Sequence, residues 1–208
     1  MANIYPRDYN KGFYEGQQTI GRDGDIVNLT RCAWAGSQRY GSLVWSGDVG
    51  STFADLRAQI TCAIHMGMAG IPWFTTDMGG FHDGIIDSDD FKELLARWCA
   101  FSCFLPVMRN HGDRSLHTTT GKETITNSAG DHRSPSGADN EPWSYGPETE
   151  QIFRKFIAIR EKMRLTRGNC SNQHIPMASP WSVGSSTSSL KTNRCPISPM
   201  NICSALMS

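Results

Sequence analysis

Residues 31–48, RCAWAGSQRYGSLVWSGD, decide how the rest of the chain is read. Leu43, Val44 and Trp45 form an apolar run of the kind buried on both faces in a parallel sheet, and Ser46-Gly47-Asp48 breaks it. The break presents one carboxylate at the C-terminal edge of a strand, the edge from which catalytic side chains project in α/β barrels. Asp48 also has a local reading. Asp is a common helix N-cap, and a helix is expected to begin near Ser51. Taken alone, the stretch leaves both readings open.

On either side of it, strand and helix patterns alternate. Residues 2–18 carry Ile4, Tyr9, Phe13 and Tyr14 at helical spacing, and the segment from Gly21 to Gly24 reads as a turn. Ile26–Thr30 reads as a short strand delivering Arg31. After Ser51, a plausible cap, Phe53, Leu56, Ile60 and Ile64 mark one helical face that ends at Gly67 and Gly70. Ile71–Thr76 is the next strand, closed by Asp77 and the glycine-rich loop MGGFHDG. A third helix follows Asp87–Asp90, whose acids favour the positive N-terminal end, with Phe91, Leu94, Leu95, Trp98 and Phe101 as its buried face. Leu105–Met108 is the expected fourth strand, delivering Arg109 and His111. Residues 113–142 are polar and read as a long surface loop. Pro147 starts a last helix buried through Ile152, Phe153, Phe156, Ile157 and Met163. Four strand–helix alternations predict an α/β fold, a parallel sheet with helices outside.

Composition narrows the function. Lys plus Arg and Asp plus Glu are both 20, so no basic surplus points to nucleic acid. No apolar run approaches the roughly 18 residues that span a membrane, and MANIYPRDYNKGF lacks the apolar core of a signal peptide. A cytoplasmic placement is slightly favoured, and secretion of a longer parent is compatible with it. Seven cysteines without a CxxC pair argue against a disulfide framework or a zinc site. Cys32, Cys62, Cys99 and Cys103 are expected to be small buried side chains.

Three motifs in order, WAGSQRYGSLVWSGD, GIPWFTTDMGGF and RWCAFSCFLPVMRNHGDR, resemble glycoside hydrolase family 31, the α-glucosidase and α-xylosidase group. The resemblance covers residues 1–164. It implies a partial (β/α)8 TIM barrel of about four strand–helix units, the C-terminal half, where a whole barrel takes about 250 residues. A half-barrel has unpaired strand edges, so poor stability in isolation is expected. The implied activity is hydrolysis of terminal α-linked glucosides or xylosides with retention, on an α-linked oligosaccharide or glycoside and without cofactor or metal. Retention needs two carboxyl groups about 5 to 5.5 Å apart, one attacking the anomeric carbon and one protonating the leaving oxygen.

Residue by residue, Asp48 in WSGD matches the family's general acid/base, a role that requires a raised pKa to which water exclusion by Trp45 would contribute. The resemblance places the nucleophile on a strand ahead of these residues, so the chain alone is expected to be inactive. Asp77 in TTDMGGF matches a substrate-contacting acid, or else braces its loop. Arg31 matches a sugar-contacting position, or else pairs with Asp48 or Asp77. Trp45 and Phe81 offer flat faces for a sugar ring, or else are core. His111 in RNHGD matches a histidine that hydrogen-bonds sugar hydroxyls. Asp113, His82, Asp83 and Trp143 are further lining candidates. A noncatalytic sugar-binding or vestigial protein is the alternative. A metal hydrolase using Asp48, Asp77 and His111 is weaker, for want of a second histidine at ligand spacing.

Residues 165–208 change character: rich in Ser and Pro, with no Asp, Glu, Phe or Tyr, they read as a disordered tail. A sharper expectation is a frameshift after Arg164. With one nucleotide lost at the Leu165 codon, codons compatible with this tail restore a family-like continuation. Cys170, Cys195, Cys203 and His174 then carry no function.

Overall fold

Strand and helix alternate much as the spacing predicts in a computed structural model describing residues 2–21, 26–115, 125–126, 132–133 and 137–163. Two units divide these residues. One holds those up to Trp45 together with Ile60–Thr75 and Met163, the other Ser46–Gln59 with the described part of Thr76–Lys162.

In the first unit, helix α1 (Tyr5–Thr19) carries Pro6 in its first turn, where a missing N–H is tolerated. The four residues read at helical spacing divide: Ile4 and Tyr14 are half-buried, Tyr9 and Phe13 exposed. Tyr5, Tyr9 and Phe13 are all exposed and stack on one another, with ring centroids 5.8 and 4.8 Å apart. The inward stripe is instead Asn10, Tyr14 and Gln17. Polar and edge contacts fix it: Gln17 donates to the Asn28 side chain at 2.9 Å, and Tyr14 meets Tyr40 edge-on at 5.9 Å.

Strands β1 (Asn28–Thr30), β2 (Ser42–Trp45) and β3 (Phe74–Thr75) form a parallel sheet with β2 in the centre, in register Leu29 to Leu43 and Val44 to Phe74. Central placement explains the continuous burial of Ser42, Leu43 and Val44. Helix α2 (Phe53–Met68) is the crossover between β2 and β3, with residues up to Gln59 in the second unit and those from Ile60 in the first. Its cap is neither Ser51 nor Asp48. Thr52 accepts the Asp55 N–H at 3.0 Å and donates its hydroxyl to the Asp55 carboxylate at 2.6 Å. The Ser51 hydroxyl is buried without a partner.

The second unit pairs β4 (Gly84–Ile85) with β5 (Arg114–Ser115), parallel, so the chain expected to enter a surface loop at 113 first makes a sheet contact. Helix α3 (Asp89–Ser102) is capped by Ser88 and buries all five predicted side chains, Trp98 and Leu95 completely. Each such side chain stabilises the fold by about 1.5–3 kcal/mol. Helix α4 (Pro147–Lys162) begins at the predicted proline and packs through Phe153, although Ile157 is exposed. A short antiparallel pair, β6 (Ile125–Thr126) with β7 (His132–Arg133), completes the strands.

The expected fourth strand does not form. Residues 103–107 turn instead, and pairing is reduced to one parallel bridge between Asp77 and Arg109. One cause is local and one distant in sequence: Pro106 has no N–H to give a ladder, and the Arg160 guanidinium takes the carbonyls of Cys103, Leu105 and Pro106 at 2.8, 2.8 and 2.9 Å. Of the four cysteines expected to be buried, Cys99 and Cys103 are, Cys62 is half-buried, and Cys32 is exposed in the irregular stretch after β1. The tail at 165–208, the turn at 22–25 and most of the 113–142 loop lie outside the described residues.

Candidate functional site

The strand–loop junction after β3 positions the central acid. Thr75, Thr76 and Asp77 are completely buried, and the Ser46 hydroxyl donates to that of Thr76 at 3.0 Å, fixing the backbone just before the acid. One carboxylate oxygen of Asp77 pairs with the Arg109 guanidinium. The other, Oδ2, is buried and accepts no hydrogen bond. Burial pushes the Asp77 carboxyl above its usual range; Arg109 and then His111 act against this, the Asp48 charge adds to it, and Arg114 opposes it more weakly.

The next residues fold back on the Asp48 segment. The Gly80 N–H donates to the Asp77 carbonyl at 3.0 Å, and the N–H groups of Phe81 and His82 both donate to the Val49 carbonyl, at 2.7 and 3.1 Å. Gly80 has φ +79°, and a Cβ there would lie 2.4 Å from the Gly50 carbonyl oxygen, so this approach needs glycine. The Asp113 N–H donates to the Phe81 carbonyl at 2.8 Å, which draws the His111 segment to the same loop. The Phe81 ring lies 5.5 Å from the His111 imidazole and 4.8 Å from that of His82.

Four of the six predicted side chains therefore meet in the second unit: Asp48 exposed, Asp77 buried, Phe81 half-buried and His111 exposed. Arg31, exposed just after β1, and half-buried Trp45, the last residue of β2, belong to the first unit. Asp77 carries an ion pair. Its guanidinium is that of Arg109, to which the sequence reading gave no role beyond delivery by a strand. A buried carboxylate requires a cation, and RNHGDR sets an arginine on each side of His111. Of the further candidates, Trp143 is exposed and Asp83 adopts a left-handed φ of 66°.

Chemically, a buried carboxylate oxygen lacking a donor, an imidazole, an exposed carboxylate and a flat ring suit a polyol, which offers several hydroxyls and an apolar face. Among the described residues no three His, Cys, Asp or Glu side chains are grouped to hold a metal ion.

Parallel strands β1–β3, with helix α2 as the crossover between β2 and β3 and with Asp48 and Asp77 just beyond the C-terminal ends of β2 and β3, define the α/β class. Residues 1–164 match the glycosyl hydrolases family 31 TIM-barrel domain, and the chain belongs to that family. It is 54% identical over 114 residues to an uncharacterized family 31 glucosidase of Pseudescherichia vulneris, covering 55% of this chain and 21% of the relative. It is 36% identical over 161 residues to an α-xylosidase of Saccharolobus solfataricus, covering 77% of this chain and 19% of the relative. The crystal structure of a family 31 α-xylosidase from a soil metagenome, complexed with xylose, superposes with a TM-score of 0.67 at 49% identity, over 78% of this chain and 23% of that one. The chain thus spans about a fifth of the length of these curated relatives, and its fold is part of a TIM barrel.

Proposed function

We propose that these residues form the acid/base side of a retaining α-glycosidase site acting on terminal α-linked xylosides or glucosides. The observation that carries this is Asp77: buried, paired on one oxygen with Arg109 and unpartnered on the other, in the same unit as Asp48, Phe81 and His111. In this reading Asp77 Oδ2 and the His111 imidazole bind sugar hydroxyls, and Phe81 stacks on the ring. Asp48 gives its proton to the glycosidic oxygen as the bond to the anomeric carbon breaks, then takes one from the water that releases the sugar. Arg31 and Trp45, in the first unit, are sugar-contacting candidates on the motif resemblance alone. The α-xylosidase relatives and the xylose complexed with one of them favour pentosides as first substrates to test.

In this reading the 208-residue chain supplies one of the two carboxyl groups that retention requires, so by itself it is expected not to turn over. The test is hydrolysis of an aryl α-xyloside and an aryl α-glucoside by the purified chain, with Asp48→Ala as control. Hydrolysis that depends on Asp48 would overturn the expected inactivity. A second reading, noncatalytic sugar binding, is favoured by the unpartnered Oδ2 itself, and saturable xylose binding without turnover would support it. For residues 165–208, beyond the family match, the frameshift proposal stands on the family-like continuation that codons compatible with the tail restore, and it predicts that the transcript restores the reading frame at Leu165.

A further inference from the structure

Arg114, the last residue of RWCAFSCFLPVMRNHGDR, was given no role above, yet among the described residues it is the largest charged side chain buried in the second unit, at 1% exposure. Its guanidinium meets only neutral acceptors. Nε donates to the Asn140 side-chain oxygen at 3.0 Å and to the Tyr145 hydroxyl at 3.1 Å. One terminal nitrogen donates to the Gly80 carbonyl at 2.9 Å and, more weakly, to that of Asp113 at 3.5 Å. The other donates to the Met78 carbonyl at 2.8 Å and to that of His111 at 3.4 Å. The Phe91 ring covers one face, 4.9 Å away.

Glycines make the room. A Cβ at Gly112 would lie 2.4 Å from the guanidinium, one at Gly84 2.8 Å and one at Gly79 3.2 Å. A buried cation that hydrogen-bonds no carboxylate is costly, and a planar five-donor fork bonds several carbonyls at once where an ammonium bonds fewer. The carbonyls it holds are informative. Met78 and Gly80 lie between Asp77 and Phe81, while those of His111 and Asp113 begin and end the turn that presents the imidazole.

We infer that Arg114 is a positioning residue for sugar binding, its guanidinium setting the backbone that presents Asp77, Phe81 and His111 together. This rests on the sugar-binding reading of that cluster. The role differs from general stabilisation because the bonds converge on the turns carrying those three side chains, and Asn140 and Tyr145 orient the guanidinium from its far side.

The test uses the full 208-residue chain with Arg114→Met, Arg114→Lys and Tyr145→Phe. Two readouts are taken: hydrogen exchange of the Gly80, Phe81 and His82 amides, and xylose affinity by titration. Arg114→Met is expected to lower protection of those amides about tenfold or more, while amides of α4 stay within about twofold. Xylose affinity should fall by a similar factor. Arg114→Lys, which keeps the charge and reaches some of the carbonyls, should recover both to within about threefold of wild type, a rescue that a purely volumetric role would not show. Tyr145→Phe should produce the same pattern at about two- to fivefold.

Unchanged loop protection in Arg114→Met, protection lost evenly through α3 and α4, or loosened loops with undiminished xylose affinity would each overturn the proposal. If the wild-type chain binds no xylose while loop protection still follows Arg114, the sugar reading has failed and the positioning of the turns stands. Should Arg114→Met not fold, Arg114→Lys and Tyr145→Phe decide: local loosening supports the proposal and wild-type behaviour in both overturns it.

Discussion

The two units solve the burial problem differently. In the unit built on Ser46–Gln59 and the stretch from Thr76, two charged side chains go inside and find partners there: Asp77, on one oxygen, in Arg109, and Arg114 in six acceptors. In the unit built on β1–β3, Leu43, Val44 and Phe74 are buried but many other large apolar groups stay outside. Of the large apolar side chains left exposed among the described residues, nine belong to this unit and three to the other, which marks where apolar burial is incomplete. Strand β1 pairs only with β2 among the described residues, and its Leu29 is exposed. The contrast teaches that the candidate site is held by specific polar contacts, whereas the sheet presents surface of the kind a barrel covers with further strands and helices.

Two substitutions probe the closed unit hardest. Trp98→Ala, at a completely buried position on α3, is expected to cost about 3–5 kcal/mol and to abolish cooperative unfolding of that unit, as read by chemical denaturation. Arg109→Met strands a buried carboxylate and should cost about 3 kcal/mol. The double variant Asp77→Asn/Arg109→Met should recover part of that loss, since no lone buried charge remains. If the single and double variants melt together, the pair does not hold the site as described.

Sequence reading reached the first three strands, all four helices and the α3 core because these rest on local signals: an unbroken apolar run, three- and four-residue spacing, and Pro147 at a helix start. It missed what depends on distant partners. Nothing near Leu105–Met108 announces that Arg160 will take the carbonyls of Cys103, Leu105 and Pro106. The aromatic spacing of α1 is helical, but which side faces inward is set by Asn28 and Tyr40. Likewise Asp48, Asp77, Phe81 and His111 were legible as motif positions, while Arg109 and Arg114 acquire meaning only once the turns they bind are in place.

Acidity sharpens the comparison further. Because burial raises the Asp77 carboxyl above its ordinary value, the folded chain binds a proton there more tightly than the unfolded chain. Asp77 therefore contributes stability that is present below the ordinary carboxylate range and lost as pH rises through its folded value. Melting curves from about pH 4 upward should show the wild type losing stability relative to Asp77→Asn across that window, with the difference constant above it. An opposite slope would mean that Arg109 outweighs burial and that the carboxyl is held low.

The smallest effect is expected on α1. Tyr9 and Phe13 stack but are half-exposed, at 50% and 51%, so Phe13→Gln gives up one ring contact and little burial. Its cost should stay below about 1 kcal/mol, because an exposed ring pair adds only a fraction of what a buried side chain does. Solubility should move more than stability, since the substitution removes an apolar group from a stacked, exposed stripe. Static light scattering at matched concentration reads this directly. Fewer aggregates at an unchanged melting temperature would fit a stripe that is surface in this unit. A melting temperature that falls as far as for a core truncation would show instead that Phe13 is buried in solution, and the contrast between the two units would then lose its clearest marker.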